Sequence, residues 1–261
     1  MRSKPILLFI SSVSLSCTEN HVDVTRNIQS NVIKVVSEDI NPYTSIGKIP
    51  LPPGFVRLEK SKDSFATWLR NIKLKKDKTV FLYNGNVKKN QSAQFAVLDI
   101  SVDKKDLQQC ADAMMRLRAE YLFNNNKFDE IVFTDNAGTK YQFRKPYTKE
   151  NFNNYLTTVF GMCGSASLSK QLKNIAIRDI DPGDVFIRGG FPGHAVMVID
   201  VATNAQVKKI YLLAQSYMPA QDIHVLINPV NAVLSPWYMV NEDEDIITPE
   251  YYFKKNELKR W

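Results

Sequence analysis

Histidine and cysteine are scarce in this chain, three of each in 261 residues, and their placement excludes more than it allows. No Cys-x-x-Cys pair and no Cys/His cluster at ligand spacing occurs, so neither a metal nor another cofactor is expected. Ser165 and Ser167 lack the Gly-x-Ser-x-Gly elbow, which argues against a serine hydrolase. Internal repeats and low-complexity segments are absent as well. The net charge of +7 is not concentrated. Lysines cluster only at 73–78 and 88–89, without interleaved aromatics. A solvated basic surface is the better explanation than a nucleic-acid groove. What is present, 44% hydrophobic and 23% charged residues, describes a globular chain with ample material for a core.

The N-terminus is more specific. Arg2 and Lys4 precede Ile6-Leu7-Leu8-Phe9-Ile10, and small residues follow up to Ser16-Cys17. A basic start, a short apolar stretch and small residues make a secretory signal, too short to span a bilayer. Its end resembles a bacterial lipoprotein signal, which implies lipidation of Cys17 and a membrane contact through that anchor alone. The expected organisation is therefore a signal segment at 1–17, a polar tether at 18–48 and one domain at 49–261. Localisation would be the bacterial cell envelope, where an acidic cell-wall polymer or an anionic membrane suits the basic surface.

Asp63-Ser64 caps an amphipathic helix over 65–72. Residues 79–83 read as a strand closed by the turn pair Asn84-Gly85, and 95–100 as a second strand. The longest helical pattern runs from Leu107 to about Phe123, with Leu107, Cys110, Ala111, Met114, Leu117 and Tyr121 on one stripe. A hairpin at 131–143 and helices at 149–160 and 165–172 follow. From Val185 the pattern becomes β, with strands at 185–187, 195–201, 210–215 and 223–228 joined by short turns. Helices first and an antiparallel meander second make an α+β layout.

The chemistry centres on Cys110 and His194. A thiol in the first turn of a helix feels the positive end of the backbone dipole, which favours thiolate. His194 follows the Gly189-Gly190-Phe191-Pro192-Gly193 turn at the head of an apolar strand, a position suited to a general base. Together they could form a nucleophile–base pair for acyl transfer. Gln109, or Gln108, could donate to an oxyanion. A third group should hold the imidazole. Asp200 lies six residues along the same strand, roughly 20 Å away at about 3.3 Å per residue, out of reach. The returning strand offers Gln215 and Ser216, of which Gln215 is the better acceptor for a ring N–H. Cys163 is a rival nucleophile, a disulfide between Cys110 and Cys163 is open, and His224 sits one strand further on.

Gln109-Cys110, Gly183-Asp184-Val185-Phe186-Ile187, Gly193-His194-Ala195-Val196 and Gln215-Ser216-Tyr217 together resemble the CHAP and NlpC-type cysteine hydrolases. The resemblance implies a papain-like fold, with a cysteine-led helix packed on an antiparallel sheet. It also implies cleavage of amide bonds in an envelope component such as peptidoglycan peptide, by Cys110, His194, Gln215 and Gln109. The same chain, through Leu82-Tyr83-Asn84-Gly85, 106–113 and 213–221, is similar to a family of secreted bacterial proteins described only as a domain of unknown function. The alternative is a non-catalytic envelope lipoprotein that uses a degenerate papain-like scaffold for binding, with Cys110 and His194 as ordinary core residues.

Overall fold

The computed structural model describes residues 40–261. The expected signal segment, Cys17 and most of the tether lie outside the described residues. Within them, four α-helices accompany a large antiparallel sheet, an α+β arrangement. The helices are α1 (Phe65–Asn71), α2 (Cys110–Asn124), α3 (Lys149–Met162) and α4 (Ser165–Gln171). Their starts follow from local chemistry. The Ser64 hydroxyl accepts the Thr67 N–H at 3.2 Å and the Thr148 hydroxyl accepts that of Asn151 at 3.2 Å.

Helix α2 begins three residues later than the apolar stripe predicts. Residues 105–109 turn tightly, Leu107 N–H bonding Lys105 O at 2.8 Å and Gln109 N–H bonding Leu107 O at 2.7 Å. The Asp112 carboxylate then accepts the Gln109 N–H at 3.0 Å, closing the helix start at Cys110.

Strands β1 (Phe55–Arg57) and β2 (Gln94–Val97) precede a hairpin of β3 (Val132–Thr134) and β4 (Lys140–Gln142), then β5 (Lys173–Asn174). The meander is β6 (Val185–Arg188), β7 (His194–Asn204), β8 (Lys209–Gln215) and β9 (His224–Leu226). After it come β10 (Tyr238–Met239), a hairpin of β11 (Ile246–Ile247) and β12 (Tyr252–Phe253), and β13 (Leu258–Arg260). The main sheet runs β2-β9-β8-β7-β6-β13-β5, with β1 added on β7 and β10 on β8.

Because side chains alternate along a strand, the sheet separates two cores. Ala195, Met197 and Ile199 of β7 pack with Cys110, Met114 and Leu69 on the helical side. Val196 and Val198 pack with Phe186, Leu213 and Phe253 on the other. Gly183, at φ +97°, lies so close to α1 that an added Cβ would stand 2.6 Å from the Phe65 ring, so only glycine fits the turn into β6.

Two differences from the sequence expectation have clear causes. Residues 79–83 form isolated bridges, not a strand, since side chains take two of their donors. Val80 N–H goes to Gln91 at 3.1 Å and Phe81 N–H to Asp222 at 3.0 Å. Residues 40–48, part of the expected tether, are packed. Asn41 N–H bonds Lys76 O at 2.8 Å, Ile46 N–H bonds Ile72 O at 3.1 Å, and the Ile46 side chain is fully buried. Asp200, set aside above as an orienter, is buried on β7 between Arg57 and Arg70, each at 2.6 Å.

Candidate functional site at the head of the second helix

Cys110 is the first residue of α2, where backbone N–H groups have no partner inside the helix. A cavity of about 310 Å³ opens beside it, lined by Gln109, Cys110, Asp112, Cys163, Ser165 and Gly193 among others. The turn leading to β7 forms one wall. Gly193 is so tightly placed that an added Cβ would meet Gly190 O at 2.4 Å and Ser165 Oγ at 2.5 Å. Phe191 and Met218 stand exposed at the rim. Cys110 and Cys163 are both free thiols.

The surroundings of the Cys110 thiol outweigh the pull of the helix dipole. Burial, with the Asp112 carboxyl nearby, pushes the Cys110 thiol up to about 11, against the opposing pull of the Ala111, Ala195 and Cys110 backbone N–H groups. Burial likewise pushes Cys163 up to about 11, with Asp135 and Asp112 adding to it. Asp112 itself is raised to about 8 by burial, and its Oδ1 has no hydrogen-bond partner among the described residues. Near neutral pH the cavity therefore holds two neutral thiols and a largely protonated acid. Gln109 lines it too, but its side-chain amide donates to Asp106 at 3.2 Å.

His194 and Gln215 do meet, Nε2 to Oε1 at 2.8 Å. Neighbouring groups set the direction of that bond. His224 Nδ1 faces the Asp222 carbonyl at 2.9 Å, so it carries the hydrogen and Nε2 of His224 is an acceptor. Gln215 Nε2 donates to Glu250 at 2.8 Å and faces His224 Nε2 at 3.4 Å. Its Oε1 must then accept, and His194 Nε2 must carry the proton. Glu250 is held by Lys88, both oxygens at 2.7 Å, and by Asn90 at 3.0 Å. Burial would raise its pKa, and Lys88 more than offsets that, keeping the carboxylate ionised.

This polar cluster lies on the opposite face of the sheet from α2. His194 alternates with Ala195, whose backbone meets the Cys110 thiol, and the imidazole turns toward Tyr217, Tyr251 and Phe253 with ring centroids 4.7, 5.0 and 5.9 Å away. Ser216, on the helical face, gives its hydroxyl to Gln108 O at 3.0 Å. The expectation that Cys110 and His194 face one another across a cleft is thus not met. His194 is not among the residues that line the Cys110 cavity, and no hydrogen bond joins the two among the described residues. Burial pushes His194 down to about 4, so the ring is neutral.

The family model of a domain of unknown function (4846) matches residues 46–148 and 136–260. The chain belongs to this family. No curated protein and no solved structure matches it. The family match spans α2, the meander and the segment carrying Glu250, so both the cavity and the polar cluster lie inside the family domain.

Sequence reasoning missed Glu250, Lys88 and Asn90. They join the site from separate parts of the chain, and no local pattern marks them. The Tyr251-Tyr252-Phe253 run beside Glu250 is the one signal in the sequence that points to this segment.

Proposed function

We propose that this domain is a non-catalytic binding module of the bacterial cell envelope, built on a papain-like, NlpC/CHAP-type scaffold whose hydrolytic pair is not assembled. One observation carries this: the imidazole and the Cys110 thiol occupy opposite faces of the sheet, both neutral, while the cavity beside Cys110 stays open. The ligand class is a cell-wall peptide or another envelope component, and the basic N-terminal segment with Cys17 supports export and a lipid anchor. Soluble muropeptides from a peptidoglycan digest should slow alkylation of Cys110 by iodoacetamide, read by peptide mapping. Unchanged labelling at saturating muropeptide would sink the proposal.

The cysteine hydrolase is the second reading. It is favoured by the three backbone N–H groups of Cys110, Ala111 and Ala195 that act on the sulfur, a start toward an anion site. In that case His194 would take the thiol proton as Sγ attacks an amide carbonyl, then return it to the leaving amine. Water would release the thioester. p-Nitrophenyl acetate separates the two. Acylation of Cys110 that disappears in His194→Ala supports the hydrolase, and acylation independent of His194 supports the binding module.

A further inference from the structure

Behind the wall formed by Leu107 and Phe160 lies a second cavity of about 190 Å³, lined also by Ser101, Gln108, Arg116 and Thr157. Gln108 is 1% exposed. Arg116 decides which way its amide is turned. A guanidinium only donates, and Nη1 donates both to Gln108 Oε1 and, at 2.6 Å, to the Ser101 carbonyl. Gln108 Nε2 therefore carries the amide hydrogens, and it has no hydrogen-bond partner among the described residues. A buried donor left in that state costs about 1–3 kcal/mol. Folded proteins nearly always satisfy such groups.

The guanidinium is pinned as well, its Nε donating to Glu120 at 3.0 Å. Gln108 and Arg116 both line this cavity, and the Gln108 amide and Arg116 Nη2 are left without a hydrogen-bond partner among the described residues. A carboxylate offers two acceptor oxygens at the matching separation. Glu120 already pairs with Arg116 at 3.0 Å and Asp103 sits among the lining residues, so the surroundings oppose a dianion such as phosphate more strongly than a singly charged carboxylate. Leu107, Leu156 and Phe160 supply an apolar wall, and about 190 Å³ leaves room for an apolar side chain beside the carboxylate.

We propose that this cavity binds the C-terminal carboxylate of a peptide ending in a small apolar residue. One oxygen accepts from Gln108 Nε2 and the other from Arg116. The proposal rests on the binding function argued above and narrows its ligand, since this cavity and the Cys110 cavity adjoin at Leu107 and Phe160, which line both.

The test titrates the ¹⁵N-labelled full chain with N-acetylalanine and, separately, with its methylamide. The acid should shift the Gln108 side-chain amide signals and bind at least tenfold more tightly than the methylamide. Gln108→Glu keeps the shape and the Arg116 pairing but replaces the donor with a carboxylate. It should weaken binding of the acid at least tenfold without lowering the thermal midpoint. Equal affinity for acid and methylamide, or unaltered binding by Gln108→Glu, overturns the proposal. The comparison of the two probes on the unmodified chain holds even if the variant fails to fold. Failure of the wider binding function reads differently: the acid would bind here as described, yet muropeptides would leave Cys110 labelling untouched.

Discussion

Replacing Asp112 with asparagine should make stability depend on pH in a way that isolates one buried acid. The folded carboxyl titrates at about 8 against an ordinary 3.8, and burial is the cause. A carboxyl raised on folding contributes its full stability below the ordinary value and loses it as pH climbs toward the folded one. The unfolded chain ionises freely from about pH 4 upward while the folded chain cannot. At pH 7 the accumulated penalty is about 4 kcal/mol, at roughly 1.4 kcal/mol per pH unit. Asparagine does not ionise, and its carbonyl can still accept the Gln109 N–H. Its NH₂ would occupy the place of the unpartnered Oδ1, at a cost of about 1–3 kcal/mol. The variant should therefore be less stable than the parent near pH 4 and more stable by about 1–3 kcal/mol at pH 7. Urea unfolding at half-unit steps from pH 4.5 to 8 reads this directly. Parallel stability curves for the two proteins would refute the assignment of a buried, protonated Asp112. The same variant should bring the Cys110 thiol down from about 11, since one of the two influences raising it is removed.

Three further outcomes follow from the same geometry. His194 and His224 are each pushed by burial down to about 4 from 6.5, so their contribution is intact above pH 6.5 and is lost as pH falls toward 4. The unfolding free energy from urea melts should drop over that window by up to about 3 kcal/mol per histidine, and His224→Gln should remove part of the slope. Asp200→Asn strands Arg57 and Arg70 around a buried site and should destabilise by about 3 kcal/mol or more, with a change under 1 kcal/mol counting against a structural role for the cluster. Gly193→Ala forces a Cβ to within 2.9 Å of Gly190 O, Ser165 Oγ and Arg188 O, and a loss of about 2 kcal/mol together with loss of muropeptide protection of Cys110 is expected. Unimpaired protection would mean the turn does not shape the cavity.

Much of the architecture was open to inspection in the sequence. Apolar periodicity and capping residues located all four helices to within a few residues, and short turns separated the four strands of the meander. The choice of Gln215 over Asp200 as neighbour of His194 came from strand geometry alone, and the 2.8 Å contact agrees with it. These are properties of short stretches, set by propensity and by period.

Facing is another matter. Cys110, His194 and Gln215 carry the types and order of a hydrolytic site, yet one step of strand alternation puts the imidazole with Val196 and Phe253 and leaves the thiol against Ala195. The protonation of Cys110 likewise depends on burial under the meander and on Asp112, which outweigh the helix dipole. The sequence by itself determined the four helices and the meander strands to within a few residues, and which residues could do chemistry. Only the tertiary structure decided which of those residues share a face of the sheet, because that depends on long-range register, and register is set by the sum of packing across the whole sheet.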